Sequence, residues 1–325
     1  MENKILPRQL CALTFGAFTV PAIAILPRAG WLWAGLASLG TAALLGIALL
    51  LCRKKETNPA RAGAQSRAGR IALWLTLAWN VLALGAAGRW LCGIYPDGGA
   101  FPLIGLLLLL LAAYAAGKGV SAVVRAGAIC FFFFVILYGV LFVVSLPQVR
   151  GQWLAPVTQP RWAVLPAALL PLGALYLTGY CRGRGRVSLW AAGGILTAVL
   201  AGIVTAGCLS PEIADAESLG FYAMSKSLSL FGAMERFEAV VSAALTAGGF
   251  CLLALVCLVN AEILGVLCPR YEKWSPAGNF LLGSGAIALS GVCGAGFLAV
   301  GTAIFWGVIP LLLLAVVKVK KIKKI

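Results

Sequence analysis

The chain is a succession of long apolar stretches separated by short polar ones. Many of these stretches approach the roughly 17–25 residues that a helix needs to cross a bilayer. We predict ten spans, with boundaries good to about three residues, which divide into two repeats of five at about 1–150 and 151–325. The predicted spans are roughly 9–26, 32–52, 71–92, 101–117, 126–146, 163–181, 188–209, 237–259, 278–296 and 298–317. The pattern therefore predicts an all-α polytopic membrane protein with one transmembrane domain over residues 1–325.

Composition and charge agree with a membrane protein. Hydrophobic residues make up 62% of the chain and charged residues 11%, whereas soluble domains average about 45–50% and about 25%. If the N-terminus is cytoplasmic, most of the 26 Lys and Arg residues fall on the cytoplasmic side, where the basic excess is expected. Both termini are therefore predicted to be cytoplasmic. The tail "VKVKKIKKI" reads as an anchor near anionic lipid, and no nucleic-acid partner is predicted.

Few side chains suit catalysis or metal binding. The sequence has no histidine, and its ten cysteines include no CxxC pair. This excludes Ser-His-Asp and Cys-His catalysis and most zinc sites. A phosphate-binding GxxxxGK[ST] motif is also missing from the sequence, so no ATPase activity is expected. We predict a protein that is not an enzyme and that needs no metal or cofactor.

The first predicted span of each repeat contains helix breakers. Span 1 has Gly16 and Pro21, and span 6 has Pro166, Pro171 and Gly173. Proline removes a helix hydrogen bond and clashes with the preceding turn, and unwound backbone at membrane depth persists only inside protein or along a cavity. Paired interruptions of this kind indicate a transporter-like binding site. Prolines that merely kink packing helices would give the same pattern.

A broken helix leaves backbone N–H and C=O groups free. The N-terminal ends favour a carboxylate and the C-terminal ends an ammonium group, so a zwitterionic amino acid suits both. Asn80 in span 3 and Ser242 in span 8 are further candidate contacts, although a structural hydrogen bond between helices would explain Asn80 equally well. The ligand-binding residues predicted at the two breaks are Gly16, Thr19, Pro21, Ala22, Leu170, Pro171, Gly173 and Ala174.

Acidic residues cluster where span 8 begins. The stretch "SLSLFGAMERFEAVV", residues 227–241, carries Glu235, Arg236 and Glu238 and follows a long outer loop. That loop has the apolar spacing of an amphipathic helix lying on the bundle. The two glutamates share one helix face, which would stabilise the N-terminus of a helix. Alternatively the three residues form an outer gate or a subunit contact, with Glu238 pairing inside the bundle because intramembrane carboxylates are functional by default.

Three stretches resemble the B subunit of spore germinant receptors, the GerAB-like spore germination permeases of the amino acid–polyamine–organocation superfamily. They are "ILPRQL" at residues 5–10, "ILPRAGWLW" at 25–33 and the Glu-Arg-x-Glu entry to span 8 at 235–238. The ten-span layout, the long loop before span 8 and the basic tail agree with the resemblance. The chain departs from the family pattern in lacking an acidic residue before Trp33 and a tryptophan after the Glu-Arg-x-Glu stretch.

The resemblance implies a LeuT/APC-type five-plus-five inverted repeat with interrupted helices 1 and 6. It also implies a membrane subunit of a spore nutrient germinant receptor, in the spore inner membrane beside A-type and C-type subunits. Such a subunit senses a small nutrient, such as an amino acid, in a permease-like pocket. An amino acid permease driven by protons or Na⁺ is the alternative, and a structural scaffold is a third. Only Glu238 in span 8 and Glu262 near the inner end of that span could serve as coupling acids, which favours sensing, although backbone carbonyls can bind Na⁺.

Overall fold

The computed structural model describes residues 7–25, 31–51, 58–92, 103–154, 173, 175–177, 185–210, 213, 220–227, 237–291, 293 and 295–322. Regular structure in these ranges is entirely helical. The α-helices are α1 Pro7–Ile25, α2 Trp31–Leu51, α3 Pro59–Ala64, α4 Arg67–Cys92, α5 Leu103–Gly117, α6 Val120–Ser145, α7 Gly185–Leu209, α8 Gly220–Ser227, α9 Phe237–Leu267, α10 Ser275–Leu289, α11 Ala295–Thr302 and α12 Ile309–Ile322. A π-helical segment, Ala303–Val308, joins α11 to α12. Short 3-10 helices lie at Leu146–Gln148, Gly151–Trp153 and Pro269–Trp274.

Apolar helices occupy every predicted span except the sixth. Within the described ranges, three helices are long and apolar enough to cross a membrane: Arg67–Cys92, Val120–Gln148 and Ala239–Leu267. Most of predicted span 6 lies outside the described residues. Gly173 and residues 175–177 of that span have 3-10 conformation. The all-α membrane architecture is confirmed, whereas the division into two repeats stays a prediction.

Two features of the helices differ from the prediction. The interruption predicted in span 1 at Gly16 and Pro21 is not present, because α1 is helical throughout. One proline removes one hydrogen bond, and α1 packs against α6, α7 and α9, which hold the remaining turns in place. Helix α9 also continues to Leu267, well past the predicted end at 259. Asn260 and Glu262 lie just beyond the predicted end, and both are paired inside the protein.

Helix α9 lies at the centre of the described bundle. It belongs to a group of four helices, α4, α5, α9 and α10, each of which contacts the other three. Helices α1 and α2 pack on α7, and α6 packs on α1 and α9. Almost every residue between 251 and 260 is buried, as expected for a helix that is apolar on all sides. The two groups of helices therefore meet along α9.

Small residues let the helices approach closely. Gly85 of α4 lies against the backbone of Ala286 in α10, and Gly105 of α5 lies against Gly88 of α4. A Cβ at Gly85 or Gly105 would overlap backbone atoms. Lipid gives no hydrophobic drive for helices to associate, so membrane helices rely on this kind of contact.

The loop before α9 contains the short helix α8, which was predicted from its amphipathic pattern. Phe221 and Met224 are buried, and the Phe221 ring lies 5.9 Å from the ring of Tyr138 in α6. Helix α8 also contacts α1, α7 and α9. This part of the loop therefore lies on the bundle.

Candidate ligand site beside the sixth span

A chain of hydrogen bonds runs through the buried core. The indole Nε1 of Trp306 donates to Asn80 Oδ1 at 2.7 Å, and Asn80 Nδ2 donates to Asn260 Oδ1 at 2.8 Å. Asn260 Nδ2 donates to Asn279 Oδ1 at 2.8 Å, and Asn279 Nδ2 lies 3.4 Å from Ser275 Oγ. None of these five side chains is more than 5% exposed. These side chains therefore pair with one another inside the protein.

This chain joins α4, α9, α10 and the π-helical segment. Asn80 lies near the middle of α4, so the network reaches the depth of the bilayer centre. An unpaired buried amide group costs about 1–3 kcal/mol, and a network that satisfies its members fixes the positions of the elements that carry them. The π-helical turn directs Trp306 inward onto Asn80. Such turns are rare and are concentrated at functional sites.

Trp306 also covers Gly173, the glycine predicted at the break of span 6. A Cβ on Gly173 would overlap the indole ring, so this contact requires glycine. Gly173 and residues 175–177 are buried in 3-10 conformation. The carbonyl of Tyr176 accepts a hydrogen bond from Asn58 Nδ2 at 3.3 Å. The described part of span 6 is thus held between Trp306 and Asn58.

Tyr176 carries an unusual buried hydroxyl. The residue is 0% exposed, and its hydroxyl has no hydrogen-bond partner among the described residues. The side chain of Thr76 in α4 lies beside the Tyr176 hydroxyl, and the Thr76 hydroxyl donates to the Ala72 carbonyl at 2.8 Å. Leaving a phenol unpaired in the core costs about 1–3 kcal/mol, so such groups call for an explanation.

The predicted residues of span 1 face other helices. A Cβ on Gly16 would lie 2.8 Å from Phe134 Cε2 and 3.5 Å from Cys251 Sγ, so Gly16 packs on α6 and α9. The Thr19 hydroxyl donates to a carbonyl of its own helix at 2.6 Å, and its side chain lies beside Gly194 of α7. These contacts are distinct from the Trp306 contact of Gly173. The structure therefore does not place Gly16 or Thr19 on the described part of span 6.

The other predicted residues divide into two groups. Asn80 forms the interhelical hydrogen bond that was one of its two predicted roles, while a ligand contact stays a prediction. Ser242 is buried and donates to the Ala239 carbonyl of its own helix at 2.9 Å. The backbones of Pro21, Ala22 and Glu238 lie in α1 and α9, but their side chains are not described. Leu170, Pro171, Ala174, Glu235 and Arg236 lie outside the described residues.

The sequence prediction missed Trp306, Asn260, Asn279 and Asn58. A usable signal was present, because asparagines inside long apolar helices are costly and tend to pair with one another. Their partners could not be read from the sequence, since the Asn80–Asn260 pair is separated by 180 positions and the Trp306–Asn80 pair by 226. Within the described part of the chain, no group of three Cys, Asp or Glu residues could hold a metal ion.

Comparisons with known proteins agree with this architecture. The fold matches that of MHP1, a nucleobase-cation-symport-1 family transporter solved in a closed conformation with bromovinylhydantoin bound. The TM-score is 0.64 at 13% identity, and the match covers 94% of this chain and 75% of that one. At this identity the likeness concerns the fold alone.

No curated protein matches by sequence. A family model described as spore germination protein matches residues 100–267, slightly more than half of the 325 residues. The chain therefore belongs to the spore permease family of spore germination proteins, and it has a transporter-type helical fold.

Proposed function

We propose that this protein is the membrane subunit of a spore nutrient germinant receptor. It binds a small nutrient, such as an amino acid, beside the interrupted span 6 and signals to A-type and C-type partner subunits. The observation that carries this proposal is the buried hydroxyl of Tyr176, which has no hydrogen-bond partner within the described part of the chain and is close in sequence to the Gly173–Trp306 contact. Family membership and the transporter fold support the same reading.

The chemistry of the site suits a small zwitterion. The Tyr176 hydroxyl can donate a hydrogen bond to a carboxylate, and such charge-assisted bonds are roughly twice as strong as neutral ones. Backbone groups at a helix break would supply further donors and acceptors. The indole of Trp306 packs directly on Gly173, so we place the ligand next to this contact.

An ion-coupled amino acid permease is the second candidate, and the transporter fold favours it. Proton coupling requires a titratable group inside the membrane, and only Glu238 and Glu262 lie within the spans. Glu262 is already engaged by Asn58 and lies 3.8 Å from Arg61. This arrangement supports sensing over proton-coupled transport, although backbone carbonyls could still bind Na⁺.

The proposed location is the inner membrane of the spore, with both termini in the cytoplasm. The uneven distribution of Lys and Arg supports this orientation. The lipid bilayer contacts the exposed apolar side chains of the bundle, such as Ile129, Phe132 and Ile136 of α6. The basic tail then lies against the anionic inner leaflet.

The test is thermal stabilisation of the purified protein by the common amino acids. A ligand that binds only the folded state at 100 times its Kd stabilises by about 2.7 kcal/mol. In Tyr176→Phe the loss of a charge-assisted hydrogen bond, worth about 1.5–3 kcal/mol, should weaken binding about tenfold or more. Tyr138→Phe is the matched control. Tyr138 is also buried, its hydroxyl likewise finds no partner in the described ranges, and its ring packs against Phe134 and Phe221.

The proposal is contradicted if no amino acid stabilises either the subunit or its complex with the partner subunits. Equal weakening in Tyr176→Phe and Tyr138→Phe would contradict the assigned site. Amino acid flux in proteoliposomes then separates the two candidates, since a sensor binds its ligand without net transport.

A further inference from the structure

A second buried polar cluster connects three separate elements through Asn58. This residue is 0% exposed, and its Oδ1 accepts a hydrogen bond from the Arg61 backbone N–H at 2.8 Å, which caps helix α3. Its Nδ2 donates to Glu262 Oε1 of α9 at 2.5 Å and to the Tyr176 carbonyl of span 6 at 3.3 Å. The two N–H bonds of one amide therefore hold two different helices.

The hydrogen bond to Glu262 is the stronger of the two that Asn58 Nδ2 donates. The Glu262 side chain is only 8% exposed, and a carboxylate in such a place must be hydrogen bonded or paired. The Arg61 guanidinium is 3.8 Å away and 59% exposed, and exposed ion pairs contribute little. The hydrogen bond from Asn58 is charge-assisted and buried, so it is worth more.

Helix α3 is positioned to respond to this cluster. It packs against α4, α9 and α12, and Gly63 lies against Leu73 and Leu313. Its six residues form too short a helix to be stable without such contacts. Its placement therefore depends on the Asn58 cap and on packing by its neighbours.

The same segment of span 6 carries both the proposed ligand contact and the carbonyl that accepts a hydrogen bond from Asn58. The hydroxyl of Tyr176 is the proposed ligand contact, and the carbonyl of the same residue accepts a hydrogen bond from Asn58 Nδ2. A ligand that displaces the Tyr176 backbone together with its side chain also strains the hydrogen bond from Asn58 to this carbonyl. No other residue is needed to connect the site to α3.

We propose that Asn58 is a latch that holds α3 and span 6 on α9, and that ligand binding beside Gly173 releases it. The release loosens α3 on the face that we propose to be cytoplasmic, where partner subunits can detect it. This inference rests on the proposed function for the ligand step. The existence of the latch does not depend on any ligand.

The latch is tested by hydrogen exchange of the purified full chain, followed by mass spectrometry. Asn58→Asp keeps the size and the capping oxygen but removes both N–H donors and sets a carboxylate against Glu262. Amides in Pro59–Ala64 and at 175–177 should then exchange about tenfold faster or more. Ser66→Ala is the control, because the Ser66 hydroxyl caps α4 through Gly69 N at 3.0 Å without touching Asn58.

A double variant tests the hydrogen bond itself. Asn58→Asp combined with Glu262→Gln exchanges donor and acceptor, so the bond between the α3 cap and α9 can form again. Amides in Pro59–Ala64 should recover slow exchange, whereas those at 175–177 should stay fast because the Tyr176 carbonyl has no donor. If Asn58→Asp alone does not fold, recovery of folding in the double variant is the supporting result. No acceleration in the single variant, or no recovery in the double variant, overturns the latch.

The ligand step uses an equimolar mixture of the common amino acids. If the mixture stabilises the protein, it should also speed exchange in Pro59–Ala64 severalfold, with no further change in Asn58→Asp. Stabilisation with unchanged or slower exchange there overturns the coupling and leaves nutrient binding standing. Absence of stabilisation counts against the proposed function. In that case, the exchange rates of the variants measured without ligand still test whether Asn58 holds α3 and span 6 on α9.

Discussion

Replacing Asn80 with alanine removes two hydrogen bonds and affects two buried partners. The Trp306 indole N–H loses its acceptor at 2.7 Å, and the Asn260 side-chain oxygen loses its donor at 2.8 Å. Trp306 and Asn260 are each only 2% exposed, so water cannot easily replace the missing amide. The perturbation therefore tests whether the buried chain of hydrogen bonds stabilises the bundle.

Two ranges limit the expected size of the effect. Leaving a buried donor or acceptor unpaired costs about 1–3 kcal/mol, which gives about 2–6 kcal/mol for two partners. Interhelical hydrogen bonds in a membrane protein average about 0.6 kcal/mol and reach about 1.7, which gives about 1–3 kcal/mol for two. The lower range applies to isolated hydrogen bonds, where the group that loses its partner can bond to another one after the mutation. Because this chain has several mutually dependent members, we expect a loss of about 2–3 kcal/mol.

Reversible unfolding in mixed detergent micelles measures this loss. A double-mutant cycle with Asn260→Ala should give a coupling energy of about 1 kcal/mol or more, since contacting residues couple by about 0.5–3 kcal/mol. Thr205→Val is the control, because the buried Thr205 hydroxyl donates to the Ala201 carbonyl of its own helix at 2.7 Å. A loss below about 0.5 kcal/mol for Asn80→Ala, or strict additivity with Asn260→Ala, would refute the reasoning.

Three further predictions concern packing and assembly. Gly173→Ala should destabilise the protein by about 1–3 kcal/mol because the added methyl group overlaps the Trp306 ring. Gly40→Ala is the control and should not destabilise the protein, because its Cβ meets nothing within 4 Å. Equal melting temperatures for the two variants would contradict the packing of Trp306 on Gly173. Phe221→Ala should loosen α8, since such core truncations cost about 3–5 kcal/mol; unchanged proteolysis of Gly220–Ser227 would argue against this. Glu238→Gln should weaken subunit assembly or germination, and normal levels of both would leave Glu238 as a stabiliser of the helix end.

The positions of the helices could be read from the sequence because bilayer thickness sets the length of an apolar stretch. The end of α9 could not be read in the same way. Asn260 and Glu262 interrupt the apolar pattern as the end of a span would, yet each is paired inside the protein with an asparagine of a distant segment. The Asn58–Glu262 pair is separated by 204 positions, and no local pattern encodes a partner that far away.

The helix breakers show the same limit. Pro21 lies inside a continuous helix, whereas Gly173 lies in a segment of 3-10 conformation. A single proline removes one hydrogen bond, and the surrounding helices decide whether the rest of the helix bends or holds. The glycine at 173 could be located from its proline-rich surroundings. The tryptophan that requires it lies in another helix and was not predictable.

The π-helical turn at Ala303–Val308 amounts to one extra residue inserted into an otherwise regular helix. Each residue of an α-helix turns the chain by about 100°, so this insertion sets the rotational phase of everything that follows it. In this phase Leu313 of α12 lies against Gly63 of α3. Deleting one codon within the turn would rotate the whole face of α12 away from α3 without changing a single contact residue. Helix length, as well as residue identity, therefore specifies how these two elements fit together.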